Sequence, residues 1–513
     1  MQINVAEYLF ESARRWPNRL ALEDERRAIS FAQLVVAADR LARLLADRGV
    51  SPGDPIAVLV PKSAEAVVAI VASVFAGGVY IPLDGASPAE RLRTIVGQIG
   101  DTVLICTETT YVLARDISGS EESVICIASD IEPDCTIQVV DQAIAAARHR
   151  LADRIDLDPC YVIFTSGSTG IPKGVTISHR SVIDYIEWAR QSYPVDDTSR
   201  IASQAPFYFD NSTLDLYLSF ATGASLHIPP DGLYAFPKLI LDYLSAKAIT
   251  TIFWVPSVLV AVANSGLLDK FPPTSVKHVL FAGEQMPVAQ INAWVKALPG
   301  ALFSNLYGPT EITVDCTAFT FHEPYAGDIL PIGHACKNTD VILLDEHDQA
   351  CAAGQIGELC VRGSSLALGY WNDPERSSTV FVQNPLQKRF RDLIYRTGDL
   401  VRRDETGCIT FLGRKDSQIK HNGHRIELGE IEAAALKLAQ VAQACILYPA
   451  SLRQIVLFAV LKVDASSDIV QMRRELGQRI PKYMMPTIIR IVEELPLSAN
   501  GKIDRLKLAA SLN

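Results

Sequence analysis

The chain has 513 residues, about half of them hydrophobic, and a formal net charge of −10. A chain of this length exceeds one compact domain, so we expect at least two domains. The acidic balance argues against a nucleic acid or an anionic membrane surface as the main partner. Its 10 cysteines contain no Cys-x-x-Cys motif and the start shows no signal-peptide pattern, which together predict a cytoplasmic protein with reduced thiols.

Strand and helix patterns alternate from the start of the chain. Apolar residues at helical spacing predict helices over 5–15, 34–47 and 63–76, and apolar runs predict buried strands over 55–60 and 79–83. The next segment is less regular, and there we predict strands near 123–127 and 137–140 and a helix near 141–150. This alternation favours an α/β architecture.

The second half of the chain contains two further kinds of pattern. Up to about residue 330 the alternation continues, with a predicted helix over 236–246 and predicted strands over 160–164, 174–178, 225–228, 251–255 and 279–283. Short strands and turns from about 332 to 412 predict a β-rich subdomain. The last hundred residues predict a separate α/β unit, with helices near 428–438 and 469–478 and strands near 442–448 and 455–462.

The segment Phe164–Lys173, FTSGSTGIPK, lies between two predicted strands and is called the central loop below. Its closely spaced hydroxyl side chains and glycines, followed by a lysine, suit the phosphates of a nucleotide. A loop of this composition alone is more often a flexible hairpin. It also differs from the P-loop of nucleoside triphosphatases, because Lys173 is followed by Gly174 rather than by Ser or Thr.

Six motifs in one order resemble the adenylate-forming superfamily, and within it the amino-acid adenylation domains of nonribosomal peptide synthesis and the D-alanine–carrier-protein ligases. They are the central loop, YGPTE at 307–311, GELCVRG at 357–363, YRTGDL at 395–400, GRKDSQIKHNGHRIELGEIE at 413–432 and NGKIDR at 500–505. The resemblance covers essentially the whole chain. It implies an α/β fold with a large N-terminal domain over 1–413, built from two α/β subdomains and a small β-rich subdomain. A hinge over 414–418 and a small mobile α+β C-terminal domain over 419–513 follow.

The resemblance also implies a ligase with two half-reactions. First, a substrate carboxylate attacks the α-phosphate of ATP and expels pyrophosphate, with Mg²⁺ as cofactor. Then the phosphopantetheine thiol of a separate carrier protein attacks the acyl-adenylate. The first step gathers negative charge on phosphoryl oxygens, so we expect catalysis by positioning and electrostatic stabilisation.

The nucleotide-binding residues are carried over from the motifs. The phosphates are assigned to Thr165, Ser166, Gly167, Ser168, Thr169, Gly170 and Lys173. The adenine and ribose are assigned to Gly283, Glu284, Asn305, Tyr307, Asp399 and Arg414. Thr310 is expected to hydrogen-bond the α-phosphate, and Glu311 to offer a carboxylate to Mg²⁺ bridging the phosphates. Taken singly, these residues would be read as turn, core or exposed positions, and only the shared motifs favour function.

Lys502, in the near-terminal loop, is implied to be the catalytic cation between the attacking carboxylate and the α-phosphate. A solvated hairpin lysine is the alternative, because Asn-Gly is a strong turn signal. After adenylation the C-terminal domain would rotate about Asp416, withdraw Lys502 and turn residues 423–430 toward the active site. His421 and His424 lack further ligands for a metal site.

Asp210 matches the aspartate that binds the α-amino group of amino-acid substrates in this family. A helix N-cap is the alternative role, and Asp210 could serve in both. By resemblance the pocket is lined by Asn211, Leu214, Phe253, Leu280, Ala282, Leu306, Val314 and Asp315. Most of these are apolar and suit a small or cyclic side chain, as in free-standing proline-activating enzymes.

Asp315 departs from this apolar pattern. Its carboxylate could accept a hydrogen bond from a substrate hydroxyl, pair with a distal amine or point to solvent, because burying it unpaired would be costly. We therefore rank proline or a cyclic analogue first, then serine, D-alanine or another small residue, then a diamino acid.

Only eight residues follow Arg505, so we expect a free-standing enzyme that loads its carrier in trans. One alternative is an acyl-CoA or aryl-acid ligase on the same fold, against which Asp210 argues. Another is a nucleotide-binding regulator without catalysis, against which Lys173, Glu311, Asp399 and Lys502 argue.

Overall fold

The computed structural model describes residues 2–127, 135–167, 170–416, 418–449, 452–462, 465, 467–496, 503 and 505–512. The chain divides into two compact units. Unit 1 comprises Met1–Asp84, Ile99–Ile163 and Gly174–Lys415, and unit 2 comprises Gly85–Gln98, Phe164–Lys173 and Asp416–Asn513. The domain limits expected from the sequence, with a hinge over 414–418, stay a prediction.

The helices and strands alternate along most of unit 1. In chain order the α-helices are α1 (Ala6–Arg15), α2 (Phe31–Asp47), α3 (Ala64–Phe75), α4 (Ala89–Ile99), α5 (Tyr111–Ser118), α6 (Ile137–Arg150), α7 (His179–Ser192), α8 (Asn211–Thr222), α9 (Pro237–Ala246), α10 (Pro256–Asn264), α11 (Val288–Ala297), α12 (Pro374–Val380), α13 (Leu428–Leu436), α14 (Ile469–Leu476) and α15 (Arg505–Ala510). Short 3₁₀ turns cover Asp231–Ala235, Thr310–Ile312 and Lys482–Met484.

The strands in chain order are β1 (Leu20–Glu23), β2 (Ala28–Ser30), β3 (Pro55–Leu59), β4 (Val79–Pro82), β5 (Val103–Cys106), β6 (Val124–Cys126), β7 (Pro159–Thr165), β8 (Lys173–Ser178), β9 (Arg200–Ser203), β10 (Ser225–His227), β11 (Thr251–Trp254), β12 (His278–Phe281), β13 (Leu302–Tyr307), β14 (Thr317–Phe321), β15 (His334–Ala335), β16 (Thr339–Leu344), β17 (Ile356–Gly363), β18 (Gly369–Tyr370), β19 (Phe381–Gln383), β20 (Leu393–Arg403), β21 (Ile409–Arg414), β22 (Gln418–His421), β23 (His424–Glu427), β24 (Val441–Leu447), β25 (Val456–Leu461) and β26 (Ile488–Ile491).

Unit 1 contains two mainly parallel sheets and one antiparallel sheet. The first sheet has the order β15-β14-β13-β12-β11-β9-β10-β1-β2, with parallel strands from β13 to β1. The second has the order β18-β8-β7-β4-β3-β5-β6 and is parallel from β7 to β6. In the third, β16, β17, β20, β19 and β21 pair antiparallel. These sheets confirm the two α/β subdomains and the β-rich subdomain.

Unit 2 contains smaller sheets. Strands β22 and β23 form an antiparallel pair, and β24, β25 and β26 form a three-stranded sheet whose second pair is parallel. Its apolar core joins α13 and α14 to this sheet through side chains such as Ile431, Leu457 and Met472. The α+β class of the C-terminal region is therefore confirmed, together with its two predicted helices and two predicted strands.

The elements start and end where local chemistry favours it. Ser30 caps α2 with a reciprocal capping box, in which its side chain accepts from Gln33 N and its backbone binds the Gln33 side chain. Helix α3 is buried along its whole length, as its continuous apolar run predicts.

Within the described residues, none of the helices combines the length and apolar character needed to cross a membrane.

One predicted element is wrong. Residues 137–140, taken as a strand, form the first turn of α6. The side chain of Thr136 accepts a hydrogen bond from Val139 N and so caps this helix. The β-branched residues that suggested a strand therefore lie on a helix that packs against α2, and its Val140 and Ala143 belong to the same apolar core as α2.

Candidate active site

The parallel strands of the first sheet gather the predicted pocket residues. Strands β9, β11, β12 and β13 run in the same direction, so the segments that follow them lie at one edge of the sheet. Phe253 of β11 pairs in register with Leu280 of β12. All six apolar lining residues are buried and belong to one contiguous apolar cluster, namely Leu214, Phe253, Leu280, Ala282, Leu306 and Val314.

A strained turn connects the YGPTE motif to the end of the pocket lining. Thr313 has φ 77° and ψ −68°, and Val314 N donates to Ile312 O at 3.1 Å, which together define a γ-turn. Such a backbone costs about 1–3 kcal/mol for a β-branched residue and persists only where surrounding contacts hold it. Here the Thr313 hydroxyl donates to Ser365 O at 2.7 Å, and the side chain is fully buried.

Gly308 allows this turn to close. A Cβ at residue 308 would lie 2.2 Å from Val314 O and 2.6 Å from the Cα of Asp315. The glycine of the motif is therefore required by a close approach of two backbone segments. This approach brings Asp315 against the start of the motif that contains Thr310 and Glu311.

Asp210 and Thr310 are in direct contact, although they are far apart in the chain. The Thr310 hydroxyl donates to a carboxylate oxygen of Asp210. Asp210 precedes α8, but its side chain makes no capping hydrogen bond to that helix. The capping role considered from the sequence is therefore wrong. The residue expected at the α-amino group instead lies beside the residue expected at the α-phosphate.

Glu311 is fully buried, which excludes the exposed surface position that was its alternative. Its carboxylate accepts a hydrogen bond from the Tyr370 hydroxyl at 2.9 Å. Over the part of the chain that the structure describes, no group of three or more His, Cys, Asp or Glu side chains is arranged to hold a metal. A single carboxylate fits Mg²⁺ that takes most of its ligands from phosphates and water.

Asp399 connects three of the predicted nucleotide residues. Its carboxylate accepts hydrogen bonds from the Tyr307 hydroxyl and from the Arg414 guanidinium. The pairing of β20 with β21 places Asp399 directly opposite Arg414. Burial and the neighbouring Asp399 raise the pKa of the Tyr307 phenol well above its ordinary value, so the phenol keeps its proton and donates.

The remaining predicted adenine residues lie at the ends of β12 and β13. Gly283 follows β12 with φ 100°, a left-handed conformation that favours glycine. The carboxylate of Glu284 accepts from Ser257 N at 3.1 Å, and the Asn305 side-chain amide donates to Pro331 O at 2.7 Å. The structure therefore places these residues together with Tyr307, and their contact with a base stays a prediction.

Asp315 is 2% exposed and does not reach solvent. Its Oδ2 accepts a hydrogen bond from the Tyr185 hydroxyl at 2.7 Å. The sequence predicted no partner from the protein itself, and the predicted alternative of a solvent-facing carboxylate is wrong. Tyr185 lies on α7, and no motif or spacing signals its role.

The central loop is described in unit 2 except for Ser168 and Thr169, and Lys502 also lies outside the described residues. The Ser166 hydroxyl donates to Arg425 O at 2.8 Å and accepts from Glu427 N at 3.3 Å. The Glu430 carboxylate accepts from the backbone N–H of Gly167 and contacts Arg91. Loop groups that the resemblance assigned to phosphates are thus bound by the predicted mobile segment over 423–430.

Two further observations bear on the loop as an anion site. Among the described residues, the buried hydroxyl of Thr165 has no hydrogen-bond partner, so it is available to a ligand oxygen. Gly170 has φ 80°, and a Cβ there would lie 2.9 Å from the Cβ of Ala433. The Thr165 hydroxyl is a donor of the kind that phosphate oxygens accept from, and the loop also accommodates close packing by α13.

Comparison with known proteins matches two parts of the chain to AMP-binding enzymes. Residues 9–371 match the family described as AMP-binding enzyme, and residues 430–502 match the AMP-binding enzyme C-terminal domain. Zwittermicin A synthase ZmaJ of Bacillus cereus is 33% identical over 509 residues, covering 97% of this chain and 93% of that protein. An L-proline–[L-prolyl-carrier protein] ligase of Pseudomonas fluorescens is 32% identical over 510 residues, covering 98% of each chain.

Among solved structures, the chain is similar to holo-PA1221, described as a nonribosomal peptide synthetase protein that contains adenylation and carrier domains. The identity is 25%, the TM-score is 0.79, and the alignment covers 99% of this chain and 84% of the other.

Proposed function

Since this chain belongs to the AMP-binding enzyme family, we propose that it activates a small or cyclic amino acid with ATP and loads it onto a carrier protein. The amino acid is converted to an aminoacyl-AMP with release of pyrophosphate. The aminoacyl group then passes to the phosphopantetheine thiol of the carrier, and AMP is released.

The observation that carries this proposal is the contact between Thr310 and Asp210. Asp210 binds the α-ammonium group of the substrate, and Thr310 binds the α-phosphate. Because the carboxylate of an α-amino acid is one carbon away from its ammonium group, this contact directs the carboxylate toward the phosphorus that it attacks. Holding two reactants in this way replaces a bimolecular encounter with a positioned one.

The nucleotide is held by the residues around Asp399. The Asp399 carboxylate accepts hydrogen bonds from the ribose hydroxyls while Arg414 and Tyr307 fix its orientation. Glu311 holds Mg²⁺, which when bound neutralises charge on the phosphate oxygens. Thr165 and Lys173 of the central loop bind the phosphates, and Lys502 brings its cation to the α-phosphate during adenylation.

The substrate is proposed to be small or cyclic, with proline or a close analogue favoured and serine, D-alanine or a small diamino acid next. Buried Leu214 and Phe253 narrow the pocket, and the proline–carrier protein ligase is a relative over its whole length. That same relative supports a carrier on a separate protein.

ATP–pyrophosphate exchange tests the proposal. The panel contains the proteinogenic amino acids, D-alanine, β-alanine, hydroxyproline and small diamino acids, with Lys502→Ala as the inactive control. We expect one strong responder whose exchange is lost in the control. Exchange with simple carboxylic acids and with no amino acid would instead identify an acyl-CoA or aryl-acid ligase.

The second half-reaction needs its own measurement. Purified holo-carrier protein is added with the responding amino acid and ATP, and the carrier is weighed by mass spectrometry. We expect a mass increase equal to the aminoacyl group, reversed by hydroxylamine because thioesters are cleaved by it. An adenylate that forms without any loading of carrier proteins would contradict the transfer step.

A further inference from the structure

A closed ring of hydrogen bonds contains the contact between Asp210 and Thr310. The Thr310 hydroxyl donates to the Asp210 carboxylate, and Thr310 O accepts from Thr313 N at 3.0 Å. Thr313 O accepts from the Tyr161 hydroxyl at 3.5 Å, and that hydroxyl accepts from the Thr213 hydroxyl at 3.2 Å. Thr213 N donates to Asp210 O at 2.8 Å, which closes the ring. The single oxygen of Tyr161 therefore connects the helix that follows Asp210 to the turn that follows Thr310.

Tyr161 is itself held in place by its surroundings. It is fully buried on β7, where it pairs in register with Tyr80 of β4, and the two rings lie 5.3 Å apart. Close packing of this kind leaves the ring little freedom to move. Strand β7 belongs to the second sheet, whereas the strained turn at Thr313 follows strand β13 of the first. The hydroxyl of Tyr161 therefore fixes a separation between parts of two different sheets.

The Tyr161 phenol is the donor in its bond to the turn. Burial raises the pKa of this phenol well above its ordinary value, the bond from Thr213 acts in the opposite direction, and the charge of Asp210 adds to the rise. The phenol therefore keeps its proton. Thr313 is 0% exposed, and among the hydrogen bonds of the described residues the Tyr161 hydroxyl is the donor to its carbonyl. Removing that donor leaves a buried acceptor unsatisfied at a residue whose backbone is already strained.

We infer that Tyr161 is a positioning residue for adenylation, because its hydroxyl holds the strained turn and the start of α8 in the arrangement that brings Thr310 to Asp210. Asp210 binds the substrate ammonium group and Thr310 the α-phosphate, so a shift of the turn against the helix moves the attacking carboxylate away from the phosphorus. This inference rests on the proposed function and deepens it, because it names the residue that keeps the two substrate sites at a fixed separation.

The first test is Tyr161→Phe in ATP–pyrophosphate exchange with the responding amino acid. The change removes one oxygen and keeps the ring beside Tyr80. Misalignment of the two substrates weakens the transition state more than the binding of either one. We therefore expect kcat to fall about tenfold, with each KM rising at most about threefold. The value of kcat is expressed per active site, counted from the adenylate formed in a single turnover, so that unfolded enzyme does not lower it.

Tyr217→Phe is the matched control. Tyr217 lies one turn after Thr213 on α8, and its buried hydroxyl donates to the Tyr80 hydroxyl at 3.1 Å and lies 3.7 Å from the Cys160 thiol. The change therefore removes a phenol hydroxyl of equal size from the neighbouring network without breaking the ring. We expect its kcat to stay within about twofold of the unaltered enzyme.

A double-mutant cycle shows which residue Tyr161 acts through. Thr310→Val removes the bond to Asp210 that the ring holds in place. If Tyr161 acts through that contact, adding Tyr161→Phe to Thr310→Val lowers kcat by less than about twofold, because coupled residues are not additive. A residue that only stabilises the fold would lower kcat by the same factor in both backgrounds. Adenylate formation in a single turnover measures the slow variants.

Thr213→Val tests the ring from its other side. It keeps the branched shape, leaves Tyr161 unaltered and removes the donor that connects the Tyr161 hydroxyl to α8. We expect kcat per active site to fall about threefold, again with smaller changes in both KM values. This variant decides the inference if Tyr161→Phe does not fold, because an unchanged kcat in Thr213→Val then overturns it.

The remaining outcomes separate the inference from the proposed function. An unchanged kcat in Tyr161→Phe, an equal loss in Tyr217→Phe, or full additivity with Thr310→Val overturns the role of Tyr161 while amino-acid activation itself stands. Absence of exchange with every amino acid in the unaltered enzyme overturns the proposed function instead.

Discussion

Two buried carboxylates of unit 1 are bound in different ways. Asp399 is 3% exposed and receives the Arg414 guanidinium together with the Tyr307 phenol. Asp315 is similarly buried, and its bond from Tyr185 comes from a neutral phenol. A guanidinium compensates the charge of a buried carboxylate, whereas a phenol mainly orients it. We therefore expect Asp399, whose charge is compensated by Arg414, to suit the neutral hydroxyls of a ribose.

The largest effect on activity is expected from removing the charge of Asp399, which binds Arg414. Asp399→Asn replaces one carboxylate oxygen with an amide N–H₂ group and removes the negative charge that binds Arg414, so we expect kcat/KM for ATP to fall roughly 100-fold. The KM for the amino acid should change much less. Asp340→Asn is the control, because it removes an exposed carboxylate paired with Arg362 in the same β-rich sheet. A fall of similar size in both variants would contradict the assignment.

Removing the hydroxyl of Tyr307 or of Tyr185 tests whether Asp399 and Asp315 serve separate sites. Tyr307→Phe should raise the KM for ATP about tenfold, because one hydrogen bond to Asp399 is lost, and should leave the KM for the amino acid unaltered. Tyr185→Phe should do the reverse. Steady-state exchange kinetics with each substrate varied in turn measure both numbers. The comparison fails if either variant changes both readouts to the same degree.

The strained turn at Thr313 lies between Glu311 and Asp315, so it should influence both substrates moderately. Thr313→Val keeps the branched shape and leaves Ser365 O without its donor, which costs about 1–3 kcal/mol of the free energy of unfolding. We expect both KM values to rise about threefold for a loss of this kind. Thr313→Ser, which retains the hydroxyl, should restore most of the loss. A change confined to one substrate would show that the turn does not connect the sites.

The smallest effect is expected from pH. The pKa of the Tyr185 phenol is raised by burial first, then by Asp315, Tyr193 and Cys336, so the phenol remains protonated as pH rises through the ordinary tyrosine range. The ratio of the amino-acid KM of Tyr185→Phe to that of the unaltered enzyme should therefore be constant between about pH 7 and 9. A KM ratio that falls toward one as pH increases over this range would mean that the phenol loses its proton and no longer donates.

The fold was largely predictable because its local patterns agree with the tertiary structure. Continuous apolar runs predicted the buried strands β3, β4 and β7, and helical spacing predicted α3 and α9. The prediction at 137–140 was wrong because short apolar runs with β-branched residues occur in both strands and helices. The hydrogen bond that the Thr136 side chain accepts from Val139 N favours the helix. Asp399 and Arg414 were both identified from motifs, and the pairing of β20 with β21 then placed them in contact.

The sequence by itself determined the family and predicted which side chains carry chemistry, because these residues occur in ordered motifs whose local context is distinctive. Only the tertiary structure decided what those side chains touch. Thr310 contacts Asp210 from 100 residues away, and Tyr185 contacts Asp315 from 130 residues away. Such bonds depend on how separate elements pack, and no local periodicity or spacing encodes them. The hydrogen bond from Tyr185 to Asp315 therefore became visible only when α7 was placed beside the strained turn.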